Sequence, residues 1–112
     1  MTNDKKWRMM LSWLRRNFKP PLPVTVRRVR GYKAKSGCFG ECLLYDDCIE
    51  INVERSQSFS LQRDTIIHEW AHALTLGGND DDEHGCHWGL AYARIYRLFI
   101  EWNYGRPRSN EE

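Results

Sequence analysis

His68, Glu69 and His72 are the residues whose types and spacing could do chemistry together, in the run His68-Glu69-Trp70-Ala71-His72. Imidazoles four residues apart share one face of a helix, about one turn from each other, so both can reach a single ion. Zinc is the expected ion, one per chain. Glu69 follows the first histidine and can lean over the open side of the metal, where a water would sit. A carboxylate there can take the water's proton. That makes Glu69 the candidate general base of a metal-assisted hydrolysis, with His68 and His72 as ligands.

This chemistry needs a helix under it, and the flanks supply one. The run from Leu61 to Leu76 contains no proline or glycine, and Ile67, Ala71 and Leu74 make an apolar stripe with Ile66, Trp70 and Ala73 beside it. Ser58 or Ser60 can cap the start, and Gly77-Gly78 provides a stop. The metal helix is therefore expected over residues 58–77, with one face for the core and another for the ion.

The other elements follow from pattern. Residues 1–20 form a basic amphipathic helix in which Trp7, Met10, Leu11, Leu14 and Phe18 recur at helical spacing; Pro20, Pro21 and Pro23 end it. Residues 23–54 read as an antiparallel meander of about three strands, with Gly40 weakening or bulging the second. In the third strand Ile49, Ile51 and Val53 alternate onto one face. Residues 79–104 hold an acidic loop, read as solvated rather than calcium-binding, and a last helix. Its stripe of Trp88, Tyr92, Ile95, Phe99 and Trp102 reads as core. The whole, residues 1–112, is one α+β domain.

Composition narrows the function classes. Five tryptophans and 41% apolar residues argue against disorder, and no apolar run approaches the ~20 residues that span a bilayer. No membrane partner is expected. The N-terminal residues lack a secretory apolar stretch, so a cytoplasmic setting is expected, with Cys38, Cys42 and Cys48 as reduced thiols. Cys86 lies beside the metal loop as a soft ligand ranked below the histidines. Charge is lopsided: residues 1–35 hold eleven Lys/Arg against the single acid Asp4, whereas residues 36–112 hold six against fourteen acids. Such a basic block suits polyphosphate or is a solvated face. Its candidate nucleic-acid contacts are Lys5, Lys6, Arg8, Arg15, Arg16, Arg27, Arg28, Arg30, Lys33 and Lys35, interleaved with Trp7, Trp13 and Tyr32.

A catalytic zinc usually takes three protein ligands and keeps one position for water. His84 and His87 are the available histidines downstream. Six residues after His72, where the metzincin pattern has its third histidine, stands Gly78. Glu101 is the only acid in the last helix and lacks the aspartate that follows a glutamate ligand. A histidine is favoured.

Thr65-Ile66-Ile67-His68-Glu69-Trp70-Ala71-His72-Ala73-Leu74, followed by His84-Gly85-Cys86-His87-Trp88 and Ala91, resembles the SprT-like metallopeptidase family, which includes Spartan. The resemblance spans roughly residues 49–98. It implies a minimal zincin-like fold: an N-terminal helix, a short sheet beside the active-site helix, a C-terminal helix, and a peptide substrate lying along the sheet edge. It implies His84 as third ligand, with Trp88 in the motif's aromatic place; His87 is the alternative ligand. It also implies substrates among DNA-associated proteins, such as protein–DNA crosslinks. Two positions depart from the family: there is no four-cysteine zinc ribbon, and residue 87 is histidine where glutamate is common.

The expectation is a zinc metalloendopeptidase acting on protein or peptide, with DNA reached through the basic block. Tyr92 and Tyr96, and Arg94 beside them, are candidate oxyanion donors. Two other readings compete: a zinc-stabilised nucleic-acid-binding or adaptor module with little or no protease activity, and a zinc hydrolase of small amides. An open sheet edge would favour peptide; a closed deep pocket would favour the small amide.

Overall fold

In the computed structural model, which describes residues 2–31, 39–76 and 85–102, three helices pack around a three-stranded sheet. The elements are α1 (Asn3–Asn17), β1 (Val24–Val29), β2 (Gly40–Leu44), β3 (Ile49–Glu54), α2 (Phe59–Thr75) and α3 (Cys86–Ile100). The α+β class and the order helix, sheet, helix carrying His68 and His72, last helix are as expected. Gly77-Gly78, the acidic loop, His84, Cys38, Lys33, Lys35, Tyr32 and the C-terminal tail lie outside the described residues.

Helix starts follow local chemistry. The Thr2 hydroxyl accepts from the Lys5 amide at 3.1 Å and caps α1. The Ser58 hydroxyl accepts from the Leu61 amide at 3.3 Å and caps α2. Each cap satisfies an N–H that the helix cannot pair internally, worth ~1 kcal/mol. α2 ends at Leu76, whose φ of 47° is the left-handed conformation usually left to glycine.

The sheet differs from the expected meander. Its order is β1-β3-β2, with β2 antiparallel and β1 parallel to β3. β3 takes the centre because it alone is buried almost throughout: Ile49, Ile51 and Val53 are inaccessible, and Asn52 and Glu54 are buried as well. A strand flanked on both edges has its side chains hemmed in by those of two neighbours on each face. Val29 pairs with Glu54 and Gly40 with Val53, so the end of β1 and the start of β2 lie at the same end of β3. The Glu54 carboxylate binds that end, accepting from the Gly31 amide and from the amide and hydroxyl of Ser56. Alternation along a strand reports which face a side chain takes; it is silent on which strand lies alongside.

Gly40 is not a bulge, since β2 and β3 pair without interruption from Gly40 to Leu44. It is a close approach instead. A Cβ there would sit 2.4 Å from Thr65 Cγ2 and 3.0 Å from the Asn52 carbonyl oxygen. Glycine lets β2 pass directly under α2.

α2 lies over β2 and β3, with α1 and α3 packed against it. The core joins Trp7, Met10, Trp13, Leu14 and Phe18 of the α1 region to Ile66, Ile67 and Trp70 of α2, Ile95 and Phe99 of α3, and the apolar face of β3. Arg28 ties β1 to α1 through a 2.9 Å ion pair with Asp4, and its guanidinium stands 5.0 Å from the Trp7 ring. With Asp4 exposed, solvent screens that pair and it fixes geometry more than it stabilises. Among the described residues no helix is long and apolar enough to cross a membrane.

Candidate metal centre

Trp70 sets the rotation of α2 and so aims its histidines. It is completely buried, and its indole N–H donates to the Phe18 carbonyl at 2.8 Å. His68 and His72 each stand two residues away, about 200° around the helix. Burying Trp70 therefore turns both imidazoles to the far side. Their ring centroids are 5.0 Å apart, and the ligand atoms of His68, Glu69 and His72 all lie within 4.8 Å of one another.

The group could hold a metal ion: two half-buried imidazole nitrogens at that separation can reach one small, borderline-soft cation such as zinc, with the Glu69 carboxylate beside them. Glu69 is the more buried member, 7% exposed. His87, on the first turn of α3, is exposed and stands outside this group; His84, the ligand implied by the resemblance, precedes the described part of α3.

An open groove of about 410 Å³ runs beside the group, lined by Phe39, Gly40, Asp64, Thr65, His68, Glu69 and Tyr92. Phe39 and Gly40, at the start of the edge strand β2, meet four residues of α2 there, with Tyr92 of α3 beside them. Asp64 stands one turn before His68 on the same helical face, a spacing legible in the sequence, though Asp64 was not among the sequence candidates. Gly40 and Phe39 reach the groove only through the fold.

α3 faces the histidines with a ladder of aromatic rings. Trp88 stacks on Tyr92 at 4.8 Å and 12°, and Tyr92 meets Tyr96 edge-on at 5.2 Å. The Trp88 ring lies 5.0 Å from His68 and 5.5 Å from His72, and its indole N–H donates to the His68 carbonyl at 3.3 Å. Trp88 and Tyr92, read from sequence as core, do pack against it half-buried, and they also stand beside the candidate histidines. Of the candidate oxyanion donors, Tyr92 lines the groove. Tyr96 donates its hydroxyl to Asp64, and Arg94 lies 5.7 Å over Phe18.

Two titrations are displaced here. Burial, then the hydrogen bond to the Asp64 carboxylate, raises the Tyr96 phenol above its ordinary value. Burial, then the charge of Glu69, pushes the Cys42 thiol up to about 12, so this thiol beside the centre stays protonated.

The basic block is divided by the fold. Lys5, Arg8, Arg15 and Arg16, joined by Lys19, share the exposed face of α1 around Ser12. A shallow depression of about 640 Å³ runs among Arg8, Leu11, Ser12, Arg15, Arg16 and Lys19. Lys6 leans over Phe59 and Arg28 is held by Asp4, Trp7 and Gln62. Arg27 and Arg30 are exposed on β1 and just beyond it. Lys19 was not among the sequence candidates.

Comparison with known proteins adds no relative: no family model, curated protein or solved structure matches this chain.

Proposed function

We propose that this chain is a zinc-dependent endopeptidase of the SprT-like kind. The observation that carries the reading is the convergence of His68, Glu69 and His72 within 4.8 Å of one another beside an open groove. His68 and His72 hold the ion, with His84 the third ligand. Zinc, when bound, supplies Lewis acidity that polarises water and the scissile carbonyl. Glu69 takes a proton from the attacking water and returns it to the amine as the C–N bond breaks. Tyr92, which lines the groove, is the candidate donor to the carbonyl oxygen as it gains charge.

Substrate geometry supports peptide over a small amide. The outer edge of β2 has no strand partner among the described residues, and Gly40 at the start of that strand lines the groove. An extended peptide can add to such an edge through its own backbone, which presents a scissile bond to Glu69. The five cations on the outer face of α1 support a second contact, with the phosphates of DNA.

The test is hydrolysis of unfolded and DNA-bound protein substrates by zinc-loaded protein, with and without DNA. Glu69→Gln is expected to keep zinc and lose at least ~100-fold in rate. If the zinc-loaded wild type cleaves nothing under any of these conditions, the adaptor reading replaces this one.

A further inference from the structure

We propose that Trp88 is the positioning residue of the metal centre, holding His68 and His72 in one arrangement before the ion arrives. The inference rests on the zinc reading above and concerns the affinity of the site rather than the reaction.

Two ladders, each with a residue every four positions, oppose one another in antiparallel register. On α2 the steps are His72, His68 and Asp64; on α3 they are Trp88, Tyr92 and Tyr96. Trp88 meets both histidines, Tyr92 meets His68 at 6.1 Å, and Tyr96 bonds Asp64. The Tyr96–Asp64 bond locks the register two turns away. The Trp88 N–H bond to the His68 carbonyl locks it at the centre itself.

Trp88 is thus a shared neighbour of both candidate ligands. An imidazole on a half-exposed helix face can occupy several rotamers, and only a matched pair binds one ion. The indole lies edge-on to His68, at 62°, and tilted by 31° to His72, so one ring restricts two. It is absent from the groove lining, so it backs the histidines on the side of α3 and leaves the groove side to water and substrate. Partners that orient ligands in this way typically contribute 10–100-fold to metal affinity.

The experiment is zinc affinity by chelator competition, with the visible spectrum of the cobalt-loaded protein and the thermal midpoint of the metal-free protein. Trp88→Leu is expected to lose about 10–100-fold in affinity and to alter the cobalt spectrum. Trp88→Phe, which keeps a ring, is expected to recover most of the loss. Phe99→Leu is the control: Phe99 lies on the same helix but packs on Trp13 and Trp102. It should lower the metal-free midpoint and leave affinity and spectrum unchanged. Wild-type affinity in Trp88→Leu, or an equal loss in Phe99→Leu, would overturn the proposal. Should Trp88→Leu not fold, Tyr92→Leu removes the ring stacked on Trp88, and an unchanged affinity there is equally fatal. A wild type that takes up no zinc overturns the metal centre itself, which the first titration shows before any variant is compared.

Discussion

Gly40→Ala tests how tightly the groove wall is built. The added Cβ would lie 2.4 Å from Thr65 Cγ2, more than 1 Å inside ordinary carbon contact of about 3.5–4.0 Å. It would also press on the Asn52 carbonyl oxygen at 3.0 Å, which belongs to the central strand and has little room to yield. Overpacking of this kind costs ~1–3 kcal/mol, and reduced freedom of the unfolded chain returns ~0.4–1 kcal/mol. At the centre of these ranges the net loss is about 1.3 kcal/mol, or several degrees in thermal midpoint for a domain this small. Thr65→Ser removes the methyl that the new Cβ would strike and leaves the hydroxyl. In a double-mutant cycle by urea unfolding, the pair should be more stable than the sum of the single changes by ~1 kcal/mol. Full restoration is not expected, because the Asn52 contact persists. If Gly40→Ala unfolds within ~0.5 kcal/mol of wild type, or the two changes simply add, β2 does not pass under α2 as described.

Three further predictions concern the site and the basic face. His84→Ala is expected to abolish tight zinc binding while His87→Ala retains it, read by metal content after dialysis; the reverse pattern would make His87 the ligand. Tyr96 is protonated longer in the folded protein than in the unfolded chain. Its contribution to stability should therefore be complete below its ordinary value of 10.0 and fall away as pH rises beyond it. Urea midpoints should drop more steeply above that pH for wild type than for Tyr96→Phe, and parallel curves would sink the assignment. Reversing Arg8, Arg15 and Lys19 to Glu should weaken DNA binding and flatten the dependence of its logarithm on salt by about 2–3 units. An unchanged slope would make the α1 face a solvated surface.

Much of the architecture was legible because local rules decide it. Trp7, Met10, Leu14 and Phe18 at helical spacing gave α1 its buried side, and Ser58 marked where α2 begins, since its hydroxyl meets a backbone amide three residues on. The chemistry was legible for the same reason: His68 and His72 are neighbours on any helix that contains them, whatever surrounds it. Local pattern failed where the answer lay in another element. Nothing in the alternation of β1 says that it pairs with β3 in parallel. The glycine at 40 is open to several explanations until Thr65 is found 2.4 Å from its missing Cβ.

The sequence by itself thus determined that two imidazoles and a carboxylate share a helix, because helical spacing is a property of the backbone alone. The tertiary structure decided what surrounds them. It turned them outward by burying Trp70, set an edge strand beside Glu69, and brought Trp88, sixteen residues beyond His72, against both rings. Those contacts come from how helices and strands choose neighbours, which depends on burying the whole chain at once and is written in no single segment of it.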